Sequence, residues 1–329
     1  MEALGYGQVW GMVYLPRFEP MLATSGSLPA PAMEHRWAAE TKYDGQRVLV
    51  YLPGDGTVVL RSRSGVLISA AYPEFQRLAV ALAEPAVLDG EIVVLDSQGR
   101  SDFARLQPRM GLSGSPVKAA RLAREDPAHL VLFDVLFLRG RTLTADPYRE
   151  RRQLLDGLGL RGPFWSTPVS VADRCREAFE ATRSLGLEGI VCKRLDSAYE
   201  PGVRSRSWMK IRHMQSVDVV VGGWVPGQGV LAGLPGAVLV GEPQPDGRLR
   251  FLGSVGTGWS DRERRDLYSL LTVAADNECP FVPVPAVAGA RWVLPRLVAE
   301  VTYATRTRTG LLRHPVWHRL RPDLAPGPW

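Results

Sequence analysis

The residues best suited to chemistry surround Lys42, in the segment Glu-Thr-Lys-Tyr-Asp-Gly-Gln-Arg at residues 40–47. A lysine amine that loses its proton can attack an electrophile such as phosphorus, whereas a guanidinium effectively cannot. Gly45 would let the backbone approach a phosphate closely, and Arg47 would supply a fixed positive charge for its oxygens. Taken alone, the segment fits a lysine nucleophile, but it also fits an exposed lysine in a turn.

The scarcity of lysine elsewhere in the chain favours the interpretation of Lys42 as a nucleophile. Of the 40 Lys and Arg residues only four are Lys, namely Lys42, Lys118, Lys193 and Lys210. A compositional bias towards Arg could explain this scarcity, yet each retained Lys is a candidate position where Arg cannot substitute. Lys118 ends a Gly-rich stretch that lacks the Gly-Lys-Ser/Thr ending of a phosphate loop. The other three lysines lie in short motifs that follow one another along the chain.

Six motifs make up this series. They are residues 40–47, 62–65 (Ser-Arg-Ser-Gly), 88–91 (Leu-Asp-Gly-Glu), 133–135 (Phe-Asp-Val), 188–193 (Glu-Gly-Ile-Val-Cys-Lys) and 208–212 (Trp-Met-Lys-Ile-Arg). Their order and spacing resemble the nucleotidyltransferase motifs shared by ATP-dependent DNA ligases, RNA ligases and capping enzymes.

Four further segments resemble the short bacterial DNA ligases, which occur as compact repair ligases or as the ligase module of end-joining proteins. They are residues 20–23 (Pro-Met-Leu-Ala), 103–109 (Phe-Ala-Arg-Leu-Gln-Pro-Arg), 199–208 and 312–323. The resemblance therefore covers nearly the whole chain. It implies an ATP-dependent DNA ligase that seals nicked double-stranded DNA, with ATP and Mg²⁺ or Mn²⁺ as cofactors.

The resemblance also implies a role for each motif residue. Lys42 would be the nucleophile that forms a phosphoramide with AMP. Glu40 would contact the adenine and Phe133 would stack on it, although an apolar strand could equally place Phe133 in the core. Glu91 would bind the ribose or assist the metal ion, and Glu188 would hold the metal ion.

The remaining roles concern phosphate groups. Lys193 and Lys210 would neutralise the α-phosphate while pyrophosphate leaves. Arg47 and Arg63 would grip the 5′-phosphate of the nick. The full set implied for nucleotide binding is Glu40, Thr41, Arg47, Arg63, Glu91, Phe133, Lys193, Lys210, Arg212 and Arg313.

Two positions depart from the family pattern. Arg212 stands where many relatives carry a second lysine, which keeps the charge but loses the compact ammonium. The C-terminal motif has Asp323-Leu324 where the family often has Asp-Lys. The basic residue that orients the pyrophosphate is therefore left open among Arg313, Arg319 and Arg321.

The elements that must position these residues follow from hydrophobic periodicity. Strands are predicted at 47–53, 58–63, 86–95, 130–138 and 189–194, with helices at 74–83 and 173–185 and a third opened by Asp146 as its N-cap and Pro147. Asp44 and Asp89 are expected mainly to shape turns.

After residue 213 the pattern changes to short strands separated by Gly- and Pro-rich turns, at 217–225, 237–240, 249–253 and 292–305. One helix interrupts them, and Ser260 and Glu263 have the spacing of a capping box at its start. We therefore predict an α+β nucleotidyltransferase (adenylation) domain over residues 1–213, followed by an all-β OB-fold domain over 214–329.

Composition limits the remaining possibilities. The net charge of +6 fits a polyanionic partner such as nucleic acid. No apolar run is long enough for a membrane span and no secretory signal is evident, which predicts a cytoplasmic protein. The three cysteines form no CxxC pair, so a structural zinc site is not expected. We expect a monomer that binds nicked DNA, with a DNA repair or end-joining protein as a possible partner.

Two rival functions are left open by the motifs. One is an RNA ligase or another covalent nucleotidyltransferase such as a capping enzyme, although the segments at 103–109 and 312–323 favour DNA ligase. The other is a DNA-binding protein on a ligase scaffold that has lost activity, against which the complete set of lysines and acids argues. NAD use is not expected, because no NAD-recognition domain or four-cysteine zinc site is evident.

Overall fold

The computed structural model describes residues 15–307 and 309–326, and the chain divides into two compact units, Met1–Arg212 and His213–Trp329. No helix in the described part of the chain is long and apolar enough to cross a membrane. The first unit combines helices and strands, and the second consists mainly of strands.

The described residues of the first unit form eleven strands and five α-helices, besides short 3-10 turns. The strands are β1 (Leu22–Ser25), β2 (Trp37–Thr41), β3 (Gln46–Leu52), β4 (Val59–Ser62), β5 (Ala86–Val93), β6 (His129–Leu138), β7 (Arg141–Thr142), β8 (Trp165–Ser166), β9 (Ser170–Ala172), β10 (Gly189–Arg194) and β11 (Arg204–Arg212). The helices are α1 (Leu78–Ala81), α2 (Phe103–Leu106), α3 (Pro116–Glu125), α4 (Tyr148–Gly157) and α5 (Cys175–Ser184).

These strands form two sheets. One has the order β1-β11-β10-β2-β9 and the other β4-β3-β5-β6-β7, with β8 pairing β6. Strand β3 shows how the second sheet is packed, because its alternate side chains enter different cores: Val48 and Val50 join the cluster under the helices, whereas Leu49 and Tyr51 join a cluster that includes Trp208 of β11. The second sheet is therefore buried on both faces, and one of those faces packs against the first sheet.

Two predicted helix boundaries in this unit are wrong. In place of one helix over 74–83, a 3-10 turn at Pro73–Arg77 is followed by the short α1. Glu74 is buried there and accepts hydrogen bonds from Arg109 and from the backbone amide of Ala128. Asp146 does not cap α4: Pro147 occupies the N-cap position, and the Asp146 carboxylate pairs with Arg141 at 2.7 Å.

Within residues 213–307 and 309–326 the second unit has eight strands and one α-helix. They are β12 (Gln215–Pro226), β13 (Pro235–Pro243), β14 (Leu249–Val255), α6 (Asp261–Val273), β15 (Ala275–Asp276), β16 (Arg291–Tyr303), β17 (Thr305–Arg306), β18 (Leu312–Arg313) and β19 (Val316–Leu320). The main sheet has the order β14-β13-β12-β16-β15, and β19 pairs β16.

The two longest strands of this sheet, β12 and β16, bury residues on both faces. Val219 and Val221 lie in one apolar cluster and Val220 lies in the other. The predicted capping box is confirmed, because the Ser260 hydroxyl accepts from the Glu263 amide and the Glu263 carboxylate accepts from the Ser260 amide.

Candidate active site

A cavity of about 290 Å³ in the first unit collects most of the residues that the sequence singles out. The predicted residues that line it are Glu40, Thr41, Lys42, Arg47, Arg63, Glu91, Phe133, Lys193, Lys210 and Arg212. Six residues without a predicted role complete the wall, namely Leu22, Ala23, Tyr43, Val191, Arg204 and Trp208. The motifs, although far apart in sequence, thus meet at one site.

Strand register explains how one wall of the cavity forms. In the first sheet β10 lies between β2 and β11, and Val191 is opposite both Glu40 and Lys210. Residues directly opposite each other across neighbouring strands point to the same face of a sheet. The β2 strand ends just before Lys42, whose backbone amide donates to the carbonyl of Gly189 at 2.9 Å. This bond fixes the chain at the point where the Lys42 side chain enters the cavity.

Gly45 has a structural role that the sequence did not predict. A Cβ atom at this position would lie 2.1 Å from the carbonyl oxygen of Ile92 and 2.8 Å from a methyl group of Val93. Glycine is therefore required where the chain between β2 and β3 passes against β5.

Lys42 lies in an ion-paired group with Glu188 and Arg212. Its Nζ donates to Glu188 Oε2, and Arg212 Nε donates to Glu188 Oε1 at 2.8 Å. The side chains of Lys42 and Glu188 are each 14% exposed. Glu188 does not itself line the cavity, yet it holds two side chains that do. The arrangement keeps the Lys42 amine in a defined position while leaving it reachable from the cavity.

The cluster around Glu40 is buried more deeply. Its Oε1 accepts from Tyr148 Oη and, at 2.9 Å, from Arg152 Nη1, while its Oε2 lies 2.7 Å from Lys193 Nζ. The Lys193 ammonium also donates to the carbonyl of Phe133 at 3.0 Å. Burial lowers the pKa of Lys193, and the charge of Glu40 offsets part of that effect. The Lys193 ammonium is thus paired with Glu40, and the rings of Phe133, Tyr148 and Trp208 surround it at 4.4–4.9 Å from their centres.

Arg47 and Asp89 form the second buried ion pair of the cavity. Arg47 donates from Nε and Nη2 to the two carboxylate oxygens of Asp89, both at 2.6 Å, and from Nη2 to the carbonyl of Met21 at 3.0 Å. Tyr199 Oη also donates to Asp89, at 2.6 Å. The expectation that Asp89 shapes a turn is wrong, because it lies within β5 and fixes the orientation of the Arg47 guanidinium.

Phe133 forms an aromatic part of the cavity wall. The Arg47 guanidinium lies 4.8 Å from its ring centre, and Lys193 Nζ lies 4.7 Å from it. Trp208 meets Phe133 edge to face, with the ring centres 6.1 Å apart. Phe133 is partly exposed and lines the cavity, so its ring is accessible to a planar ligand. Trp208 was not assigned a role from the sequence, although it lies in the last of the six motifs.

Glu91 and Lys210, which also line the cavity, have shifted pKa values. Burial raises the pKa of Glu91 to about 7, although Arg47 and Lys42 draw it back towards its ordinary value. Burial lowers the pKa of Lys210, and the nearby charges of Arg212, Arg204 and Lys42 lower it further. The cavity therefore combines an excess of positive charge with a carboxyl group that titrates near neutral pH.

The raised pKa of Glu91 can be tested by measuring how the free energy of unfolding of Glu91→Gln and of the wild type depends on pH. Between pH 4.5, the ordinary glutamate pKa, and about 7, folded Glu91 keeps a proton that the unfolded chain has released. The free energy of unfolding of the wild type therefore falls as pH rises through this interval. Glutamine does not titrate, so the variant should gain stability relative to the wild type across the same interval. Urea denaturation of both proteins in EDTA, at half-unit pH steps, measures this; a pH-independent difference would contradict it.

Arg63 lies outside the buried cluster of the first unit, and the C-terminal arginines belong to the second unit. Arg63 is exposed at the cavity rim, in the turn after β4 where Gly65 has a φ of +80°. Arg313 is in β18 of the second unit. Arg321 pairs with Asp218 and Asp323, and Arg319 with Glu300. Arg319 and Arg321 are thus engaged by carboxylates of their own unit.

Comparisons with known proteins agree with the geometry. The ATP dependent DNA ligase domain family matches residues 20–212, and the ATP dependent DNA ligase C terminal region matches residues 232–324. The multifunctional non-homologous end joining DNA repair protein LigD of Mycobacterium tuberculosis is 42% identical over 93% of this chain, which spans only 39% of that protein. DNA ligase C1 of Mycolicibacterium smegmatis is 32% identical over 94% of this chain and 92% of its own length.

Solved structures show the same likeness. The crystal structure of the ligase domain from M. tuberculosis LigD has a TM-score of 0.54 and 41% identity, covering 94% of this chain and 96% of that one. A mycobacterial DNA ligase D complexed with ATP and MES has a TM-score of 0.55, with 40% identity over the same shares. These likenesses confirm the predicted fold class, an adenylation unit followed by an OB-fold unit. The chain belongs to the family of ATP-dependent DNA ligases.

Proposed function

We propose that this chain seals nicks between a 3′-hydroxyl and a 5′-phosphate in double-stranded DNA, using ATP and a covalent lysyl-AMP intermediate. The observation that carries the proposal is the position of Lys42, held by Glu188 at a cavity that also presents Phe133, Glu40 and Lys210. The purine of ATP could lie against the Phe133 ring, with the phosphates of ATP at the basic end of the cavity, which is formed by Lys42, Lys210 and Arg212.

Three steps account for the reaction. Lys42 Nζ, after losing a proton, attacks the α-phosphorus of ATP; an N–P bond forms and the bond to pyrophosphate breaks. An oxygen of the 5′-phosphate at the nick then attacks the AMP phosphorus, which breaks the N–P bond and returns a proton to Nζ. The 3′-hydroxyl finally attacks the phosphorus of the adenylated 5′ end, loses its proton and releases AMP.

The phosphate roles are divided among the basic residues of the cavity. Lys210 and Arg212 are suited to the α-phosphate, because their charges lie near Lys42. Arg47, fixed by Asp89, and the exposed Arg63 are suited to the 5′-phosphate of the nick. Lys193 is proposed to act at Glu40 and not at the α-phosphate, since its ammonium is buried and already ion-paired there.

A divalent cation, Mg²⁺ or Mn²⁺, is proposed to accompany ATP. In the described part of the chain no three His, Cys, Asp or Glu residues cluster to form a cation cage. Mg²⁺ is usually bound by one or two carboxylates together with nucleotide phosphates, and Glu91 and Glu188, which both interact with Lys42, fit that donor set. When bound, the ion would neutralise phosphate charge.

The DNA substrate and its context are also part of the proposal. The chain spans 39% of the length of the LigD protein named above, which is described as an end-joining DNA repair protein. By analogy we propose a role in DNA break repair with an end-joining partner. The net charge of +6 supports binding to a polyanion, and DNA affinity should therefore fall steeply with salt.

Incubation with ATP, GTP or NAD followed by intact mass measurement tests the proposal directly. We expect the mass of one AMP to be added from ATP alone, to be lost when nicked DNA is supplied, and to be located on Lys42 by peptide mapping. Nicked DNA and nicked RNA offered to the adenylated protein distinguish a DNA ligase from an RNA ligase. No covalent nucleotide from ATP, or sealing of RNA only, would overturn the proposal.

Phe133→Ala is expected to weaken ATP use and to leave nick binding largely unchanged. Stacking of a base on an aromatic ring contributes roughly 1–3 kcal/mol, so the KM for ATP in self-adenylation should rise about 5- to 150-fold. Phe133→Tyr, which keeps an aromatic ring, should stay near the wild type. The apparent ATP affinity of each folded variant is the measurement, and an unchanged value for Phe133→Ala would assign Phe133 to the core alone.

Arg313→Ala is expected to slow self-adenylation much more than it slows sealing of a nick that already carries AMP. We propose Arg313, the C-terminal arginine included in the nucleotide-binding set implied by the resemblance, as the contact for the leaving pyrophosphate, which only the first step releases. Arg265→Ala, an exposed arginine of α6, is the matched control and should leave both rates unchanged. Equal loss of both activities in a folded Arg313→Ala variant would assign Arg313 to DNA binding instead.

A further inference from the structure

Glu40 is held by two residues of α4 that lie far from it in sequence. Tyr148 Oη and Arg152 Nη1 both donate to Glu40 Oε1, the latter at 2.9 Å. Glu40 is 3% exposed, Tyr148 0% and Arg152 8%. Neither α4 residue lines the cavity, whereas Glu40 does. Glu40 is therefore the cavity residue that their side chains reach by hydrogen bonds, and the Tyr148 ring also lies 4.9 Å from Lys193 Nζ.

Both residues are in turn fixed by their surroundings. Arg152 donates from Nε and Nη2 to Asp156 and from Nη2 to the carbonyl of Pro168. The Tyr148 hydroxyl also lies 3.1 Å from the Ser170 hydroxyl. Because the Arg152 guanidinium and the Tyr148 phenol are buried and each has a second hydrogen-bond partner, neither can shift together with the Glu40 carboxylate. They consequently restrict the Glu40 carboxylate to one orientation.

The Glu40 carboxylate, held in this orientation, still has an acceptor position for a ligand. A carboxylate offers about four lone-pair positions, two on each oxygen. The two on Oε1 are used by Tyr148 and Arg152, and one on Oε2 by Lys193. One acceptor position on Oε2 is left for a ligand. An ionised carboxylate can only accept hydrogen bonds.

An acceptor fixed in this way discriminates between purines. The 6-amino group of adenine is a donor and can use the remaining position, whereas the 6-oxo group of guanine or hypoxanthine is an acceptor that would face a negative charge. A site built to bond one such group rejects the analogue that lacks it, because its buried polar atom is left unpaired.

We propose that Tyr148 and Arg152 are positioning residues that set the preference for 6-aminopurine over 6-oxopurine nucleotides through Glu40. The inference rests on the proposed use of ATP by this chain. It adds two residues of α4 to the determinants of nucleotide choice, although neither touches the nucleotide.

The test compares ATP with ITP, in which a 6-oxo group and a protonated N1 replace the 6-amino group and the unprotonated N1 of adenine. Self-adenylation rates at varied nucleotide concentration give kcat/KM for each nucleotide in the wild type, Tyr148→Phe, Arg152→Met and Arg152→Lys. We expect the ATP to ITP ratio to fall about tenfold in Tyr148→Phe and at least as far in Arg152→Met, mainly through the KM for ATP. Arg152→Lys should recover part of the ratio.

Arg149→Met is the matched control, because it removes an exposed arginine of the same helix and should leave the ratio unchanged. A merely structural role would lower ATP and ITP use equally, and a ratio equal to that of the wild type in the folded variants overturns the inference. If Arg152→Met does not fold, Tyr148→Phe decides, since it removes a single oxygen atom. Failure of the wild type to form any nucleotide adduct would instead overturn the proposed function.

Discussion

Lys42→Arg and Lys42→Ala are both expected to abolish covalent AMP formation and all sealing that starts from ATP. The arginine variant is the more informative, because it keeps a positive charge that could still pair with Glu188. A guanidinium stays protonated under any working condition and has no free electron pair with which to attack phosphorus. Loss of activity in Lys42→Arg therefore isolates the chemistry of the amine from the charge of the side chain.

Intact mass after incubation with ATP measures the first step, and ligation of a nick that already carries AMP measures the last. Both Lys42 variants should lack the AMP adduct yet retain much of the last step, which needs no lysyl-AMP. Lys118→Arg and Lys118→Ala are matched controls, because Lys118 is exposed on α3, outside the cavity. An AMP adduct on Lys42→Arg would remove Lys42 as the nucleophile and the proposed function with it.

The location of the cavity could be predicted from the sequence because its residues occur in short motifs on neighbouring strands. Glu40, Val191 and Lys210 are far apart in the chain, yet the register of β2, β10 and β11 places them directly opposite one another. A motif preserves such an arrangement because a shift of one residue would turn every side chain of a strand to the other face. The resemblance therefore carries spatial information that periodicity alone does not contain.

The supporting contacts could not be predicted in this way. Tyr148 and Arg152 lie 108 and 112 positions from Glu40, in a helix whose sequence looks like an ordinary amphipathic surface helix. Asp89 was expected in a turn, since nothing local reveals that its carboxylate receives Arg47 and Tyr199. These bonds depend on how two sheets and a helix pack, and that packing determines which polar groups must find partners when they are buried.

Gly45 illustrates the same limit for the backbone. Its place in the motif suggested close approach to a phosphate, but the structure puts the carbonyl of Ile92 where a side chain would begin. Both interpretations require glycine, so the sequence alone could not separate them. The close contact depends on the pairing of β3 with β5, which the sequence does not reveal.

Glu188→Gln is expected to reduce the rate of self-adenylation by about 100- to 1000-fold, the effect found when one preorganised electrostatic group is removed from an active site. Glutamine preserves the shape of the side chain but removes the charge that binds both Lys42 and Arg212. The basic groups at this end of the cavity, including Lys210, would then face one another without an intervening acid. Lys42 should lose its fixed position, and one of the two proposed carboxylate ligands for the divalent cation is lost as well.

Single-turnover adenylation at increasing Mg²⁺ concentration separates these two effects. Loss of a metal ligand should move the half-saturating Mg²⁺ concentration upwards, whereas misplacement of Lys42 should lower the rate at saturating Mg²⁺. Glu188→Asp keeps the charge at a shorter reach and should lie between Glu188→Gln and the wild type. Glu180→Gln, on the exposed face of α5, should match the wild type in both quantities. An unchanged rate and an unchanged Mg²⁺ response in Glu188→Gln would mean that Lys42 is oriented by other groups, of which its backbone bond to Gly189 is the first to test.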